Sequence, residues 1–205
     1  MSLSLSVFLV DVSAARGLVG SGDEQLLQVI RDEFGGDLAR DDDWFSSEIA
    51  QGVPTAYEAL RAVVHGGPFP KGGSHEAFQY AYAYRRLVSL TGGRLDNSSF
   101  SPFRWGWLGM VDEALRELGV SAVSVEDFGM SDGLPGDLPW PAEFPGCGEW
   151  THEQCRKALE QLREAERAQR VPPADPAVAR AVEDCAAWII SAAQRPGYGV
   201  IGFQS

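Results

Sequence analysis

Leu3, Leu5, Val7 and Leu9 alternate with Ser4, Ser6 and Phe8, and no other stretch limits the fold of this chain as tightly. A period of two sends successive side chains to opposite faces, so the pattern predicts a strand over about residues 3–11 with one face strongly buried. At the other end, Gly197-Tyr-Gly-Val-Ile-Gly-Phe203 reads as a second strand that can pair with the first and bring the termini together. Helical periodicity dominates between them. The combination predicts an α+β fold: a small, mainly antiparallel sheet that includes the N- and C-terminal strands, covered by five or six helices.

Ser21 with Glu24 is a capping-box signature, and Leu26, Leu27, Ile30 and Phe34 follow at helical spacing until Gly35-Gly36, which is expected to stop the helix. Asp37 to Asp43 then reads as an acidic, turn-prone stretch ending in Trp44-Phe45. Pro54 suits the first turn of a second helix through Tyr57, Leu60, Val63 and Val64, ended by Gly66-Gly67. The segment Gly67-Pro-Phe-Pro-Lys-Gly-Gly73 is a loop by composition, and Ser74 is placed to cap a third helix from His75 to Leu90. A fourth helix carries Trp107, Leu108, Val111, Leu115 and Leu118 up to Gly119, and Val120 to Val125 reads as a short strand. Residues 129–149 hold five glycines and four prolines and read as a long irregular connection. Thr151 with Gln154, then Asp175-Pro176, open a C-terminal helical pair over 151–194, and a single domain over 1–205 is expected.

Twenty-nine acidic residues against 17 Lys and Arg leave a net charge of -12, which repels phosphate backbones and argues against nucleic acid as a partner. A basic protein is the partner such a surface would steer toward itself. Residues 1–10 are apolar but lack a basic n-region and run into Asp11, so neither an export signal nor a membrane span is expected, and the cytoplasm is the expected location. Three cysteines without an export signal predict reduced thiols.

There is no phosphate loop, dinucleotide fingerprint, His-Glu-x-x-His, Gly-x-Ser-x-Gly or calcium loop, so the chain leans away from catalysis and no cofactor is expected. Cys147, His152, Cys155 and Cys185 match the ligand count of a structural zinc site, but they lack a Cys-x-x-Cys knuckle and no metal is expected. Cys155 near a helix N-terminus, with His152 beside it, has the ingredients of an activated thiol, set against an ordinary buried cysteine next to a capping histidine. Cys147 between Gly146 and Gly148 is expected to be the most accessible thiol. His65 and His75 bracket the Gly-Pro loop, with Glu76 adjacent, and read either as an acid/base pair or as helix-end residues. Catalytic residues stay unassigned, with His65, His75, Cys147 and His152 as candidates.

Aromatics concentrate in the Gly- and Pro-rich segments: Phe103-Arg-Trp-Gly-Trp107, Leu138-Pro-Trp140, Phe144 and Trp150. They read either as exposed anchors for a partner or as plugs of a satellite core. The leading expectation is an acidic protein-binding module, an immunity-type or other inhibitory partner of a cationic protein, with Asp41, Asp42, Asp43, Trp105, Trp140 and Trp150 as contacts. The alternative is a small-molecule enzyme or binding protein with a pocket between loops 66–74 and 129–149, lined by His65, His75, Trp105 and Trp140. A regulatory or structural subunit of a larger assembly is a third class.

Gly20-Ser-Gly-Asp-Glu24 after the first strand, Gly66-Gly67 before the aromatic helix, and Pro141-Ala-Glu-Phe-Pro-Gly146 ahead of Trp150-Thr151 resemble the YfbM-like group of small bacterial proteins of unknown function. The resemblance implies a compact α+β fold over most of the chain and implies no reaction.

Overall fold

The computed structural model describes residues 2–130 and 132–205. One antiparallel sheet contains β1 (Leu5–Asp11), β2 (Gly93–Arg94), β3 (Gly146–Trp150) and β4 (Tyr198–Gln204) in the order β2-β1-β4-β3. The terminal strands pair as expected, from Leu5 opposite Gln204 to Asp11 opposite Tyr198. The described residues also form α1 (Val12–Gly17), α2 (Glu24–Trp44), α3 (Ser46–Ala50), α4 (Ala56–His65), α5 (Ala77–Thr91), α6 (Trp107–Glu117), α7 (His152–Arg167) and α8 (Pro176–Ala193). The fold is α+β. Six of the helices are ten residues or longer, and the short α1 and α3 carry no signature that periodicity could have found.

The chain groups into two compact units, one of Met1–Val12, Thr91–Gly133 and Gly146–Ser205, the other of Ser13–Leu90 and Leu134–Pro145. The first holds the sheet. Its register puts Leu5, Val7 and Leu9 on the same face as Val200 and Trp150. Helix α8 packs on β1 and β4, and α7 packs on α8. The Trp150 ring lies 4.7 Å from Phe128 and 6.0 Å from Trp188, and Phe100 lies 5.1 Å from Trp188. Both buried indoles satisfy their N–H, Trp150 on the Ser124 carbonyl at 2.8 Å and Trp188 on the Asp96 carbonyl at 2.6 Å.

Strand β3 begins inside the segment 129–149 expected to be irregular and runs one residue past it. Its Gly146 and Gly148 read as loop punctuation, but here they strip side chains from one face so that another backbone segment can lie directly on it. Gly148 stands opposite Gly202, and the 3-10 turn Glu126–Gly129 crosses that pair with the Phe128 ring against Gly202. Asp112 of α6 anchors the turn: its buried carboxylate accepts from Val125 N at 2.7 Å, from Glu126 N at 3.1 Å and from the Ser124 hydroxyl. The strand expected at Val120 to Val125 is therefore absent. Val120 N donates to the Leu115 carbonyl, Ser121 N and Ala122 N donate to Gln161 Oε1, and Val125 N donates to Asp112, so these acceptors take the place of a neighbouring strand.

In the second unit, α2 runs straight through Gly35-Gly36, so the stop expected there does not occur and Asp37 to Asp43 is helical. Buried Leu27, Ile30 and Leu38 share one helical face on both sides of the glycines, and that burial outweighs a cost of about 1 kcal/mol per glycine. The cap is Asp23, whose Oδ1 accepts from Leu26 N at 2.9 Å, rather than Ser21. Thr55 and Glu58 form a reciprocal capping box on α4, and those hydrogen bonds hold the Glu58 carboxyl below its usual range. Gly66 closes α4 in the left-handed region at φ 76°. Ser74 does not cap α5 with its side chain; its Oγ is buried without a partner, and its carbonyl accepts from Ala77 N.

Candidate functional site

Helix α2 ends in Arg40-Asp-Asp-Asp-Trp44 with no basic residue in its last turn. The carbonyl end of a helix is its negative pole, where carboxylates are unfavourable and cations favourable. Two of the three carboxylates are compensated within the chain. Asp41 takes Arg86 at 2.6 Å, with the same guanidinium 3.5 Å from Asp37, and Asp42 accepts from Ala56 N at 2.7 Å, the positive end of α4. Asp43 is exposed, and Trp44 beside it is 81% exposed.

Half-buried rings continue this surface. Phe45 lies 4.9 Å from Phe78 and 5.5 Å from Tyr82, and exposed His75 stands edge-on to Phe78 at 6.5 Å. The Arg85 guanidinium sits 6.0 Å over the Tyr82 ring. Burial chiefly raises the Tyr82 phenol above its ordinary range; Arg85 opposes the rise and Asp41 adds to it. Trp44 was missing from the expected contact set because the residues before it read as a turn rather than a helix end. An aromatic directly after three aspartates was the available signal.

A second acidic feature belongs to the sheet unit. Asp127, Asp132 and Glu149, with Met130, Gly133 and Gly148, line an open cavity of about 180 Å3, and none of these described residues is basic. Burial first, then repulsion from Asp112, Asp132 and Glu126, raises the Asp127 carboxyl above 3.8. A raised folded-state pKa means that ionised Asp127 opposes folding at neutral pH, and that protonation relieves the opposition on acidification. Asp127→Asn should therefore be more stable than the parent at pH 7. Its advantage should shrink as pH falls through the raised value and vanish below 3.8, as read from denaturation midpoints across that range.

The remaining sequence candidates fall elsewhere. His65 Nε2 lies 3.1 Å from Glu24 at the end of α4, and His75 packs on Phe78, so each engages a different partner and they do not form an acid/base pair. His152 follows the Thr151 cap of α7 and directs Nδ1 at the Ala192 and Tyr198 carbonyls, 3.2 and 3.1 Å away, which makes that nitrogen the protonated one. Cys147, expected to be the most accessible thiol, is buried in β3, and Cys155 and Cys185 are buried as well. Burial pushes the Cys155 thiol up to about 12 and raises Cys185 well above its ordinary value, the reverse of an activated nucleophile. No group of three or more His, Cys, Asp or Glu among the described residues is placed to hold a metal ion.

The tryptophans divide sharply. Trp150 is 0% exposed and belongs to the core, which removes it from the expected docking set, whereas Trp105 is 86% and Trp140 56% exposed. Trp105 precedes Trp107, which lines an open cavity of about 480 Å3 with Ser98, Ser99, Pro176, Ala177 and Arg180. Trp140 lies on Gly72 and Gly73, so close that a Cβ at Gly72 would stand 2.2 Å from its Nε1. Loop 66–74 thus meets residue 140 of the long connection through an indole laid on bare backbone. No described helix is long and apolar enough to cross a membrane.

A family model described as a domain of unknown function (DUF7691) matches residues 1–205. It shows no link to the YfbM-like group. No curated protein and no solved structure matches the chain.

Proposed function

The chain belongs to this family of uncharacterised domains, and we propose that it acts as an acidic docking module for a cationic protein, as an immunity-type or other inhibitory partner would. The observation that carries the reading is the end of α2: three consecutive aspartates at the negative pole of a 21-residue helix, no base in its last turn, and an exposed tryptophan beside them. A basic side chain arriving there meets an attractive field from both the carboxylates and the helix dipole. Trp44 adds what the charges lack, a large apolar surface of the kind that dominates binding energy at interfaces. The net charge of -12 would speed encounter with such a partner and slow encounter with acidic ones.

Titration against a panel of basic proteins, cationic nucleases among them, at low and high salt tests the reading. Binding should weaken with salt, and Trp44→Ala should weaken it about 30-fold or more, the loss typical of an interface anchor. Asp43→Asn should slow association and flatten the salt dependence. Trp105→Ala and Trp140→Ala complete the series as the other exposed indoles of the expected contact set. Absence of salt-dependent binding across the panel, or binding indifferent to both Trp44→Ala and Asp43→Asn, would sink the proposal.

A further inference from the structure

We infer that the chain binds a small planar aromatic monocarboxylate in the cavity of about 480 Å3 that Trp107 and Arg180 line. That volume falls within the range usual for small-molecule pockets, roughly 300–1,000 Å3. None of its lining residues, Ser98, Ser99, Trp107, Pro176, Ala177 and Arg180, is acidic, although the whole chain carries a net charge of -12. All of them belong to the sheet unit and none to α2, so the inference goes beyond the docking reading and does not depend on it.

Three elements build the walls. The 3-10 turn Ser98–Phe100 is tied to α6, whose Trp107 indole N–H donates to the Ser99 carbonyl at 3.0 Å, and to α8, whose Asp184 accepts from Ser99 N at 3.3 Å. The turn's own Phe100 is buried against Trp188, with ring centroids 5.1 Å apart. Trp107 is half-buried and its N–H is already used, so what it has left to offer a ligand is the apolar surface of its ring. Arg180 is exposed and makes no ion pair among the described residues, which leaves its planar fork of donors open to a carboxylate. Ser99 adds a hydroxyl whose enclosed Oγ has no hydrogen-bond partner.

Neighbouring charges limit the ligand to a single negative charge. Asp96 accepts from Ser98 N at 3.0 Å, Asp175 from Ala177 N at 2.8 Å and Asp184 from Ser99 N at 3.3 Å. The positive pole of α8 is therefore already taken by its own cap, and three carboxylates bonded to the backbone of lining residues stand against one guanidinium. A phosphate dianion would meet more repulsion than a lone arginine offsets, whereas a carboxylate on a flat ring brings one charge and gains the Trp107 surface. More distant acids weigh little, because charges beyond about 8 Å are largely screened at physiological salt.

Calorimetric titration of the full chain with 2-naphthoate, its neutral amide, cyclohexanecarboxylate and 2-naphthyl phosphate tests the inference. The naphthoate should bind about 10-fold or more tighter than the amide, the factor expected of a charge-assisted hydrogen bond. It should bind about 3- to 10-fold tighter than cyclohexanecarboxylate, which lacks a ring to stack. Arg180→Gln should erase the preference for acid over amide, while Trp107→Phe should weaken both. Equal binding of acid and amide, a preference that survives Arg180→Gln, or no binding of the naphthoate at millimolar concentration overturns the inference. Tighter binding of the phosphate than of the naphthoate would overturn the assignment of a monoanion. Arg180 is exposed, so Arg180→Gln should fold and carries the decision even where circular dichroism shows Trp107→Phe to be perturbed.

Discussion

Trp150→Ala should cost about 3–5 kcal/mol of unfolding free energy, the loss usual for truncating a fully buried large aromatic. The substitution removes the ring that joins Phe128 to Trp188, the 4.7 and 6.0 Å contacts at the centre of the sheet unit. It also strands the Ser124 carbonyl, which accepts the Trp150 indole N–H at 2.8 Å. That carbonyl lies in the stretch whose next residues donate to Asp112, so the loss should spread to the turn Glu126–Gly129. Against the roughly 5–15 kcal/mol by which domains are ordinarily stable, such a change moves a denaturant midpoint far, with the slope of the transition unchanged. Trp150→Phe should fall between, keeping ring contacts but not the hydrogen bond. A Trp150→Ala protein as stable as its parent would mean that the aromatic cluster is not the core.

Gly148→Ala should be comparably damaging for the opposite reason, too much matter rather than too little. A Cβ there would stand 2.1 Å from the Asp127 carbonyl oxygen, 2.4 Å from its carbon and 2.7 Å from Phe128 N, all backbone atoms that cannot swing aside. Across the strand pair, Gly202 is held just as tightly, with the Phe128 ring 2.5 Å from its would-be Cβ. The turn must lift off β3 to admit the methyl, so a loss of about 3 kcal/mol is expected, the upper end of ordinary overpacking costs. Gly36→Ala is the contrasting arm of the measurement. Gly36 lies within α2 with nothing within 4 Å of a new Cβ, and the substitution should stabilise by up to about 1 kcal/mol. Denaturation of the two variants side by side decides the matter, and equal effects would contradict the close approach of the turn to the sheet.

What was legible in the sequence was whatever local energetics control. The alternation through Leu3–Leu9 located β1, and Thr151 with Gln154 and Asp175-Pro176 marked the starts of α7 and α8, because capping groups and fixed φ angles act within a few residues of where they stand. The end of α2 was misread for a related reason. Gly35-Gly36 is a local stop signal that the burial of Leu27, Ile30 and Leu38 overrides, and with the helix cut short its acidic pole beside Trp44 could not be seen.

Tertiary structure alone decided which of the tryptophans are exposed. Trp105 and Trp150 are the same residue in similar glycine- and aromatic-rich surroundings, yet one is 86% exposed and the other 0%. Nothing within a few residues of either distinguishes them; Trp150 is buried because β3 pairs with β4, some fifty positions later in the chain. Gly148 likewise resembled a loop glycine until the turn from residue 126 came to rest on it. A residue's own conformational preference is written beside it in the chain, but its burial depends on partners distant in sequence, and only the folded arrangement supplies them.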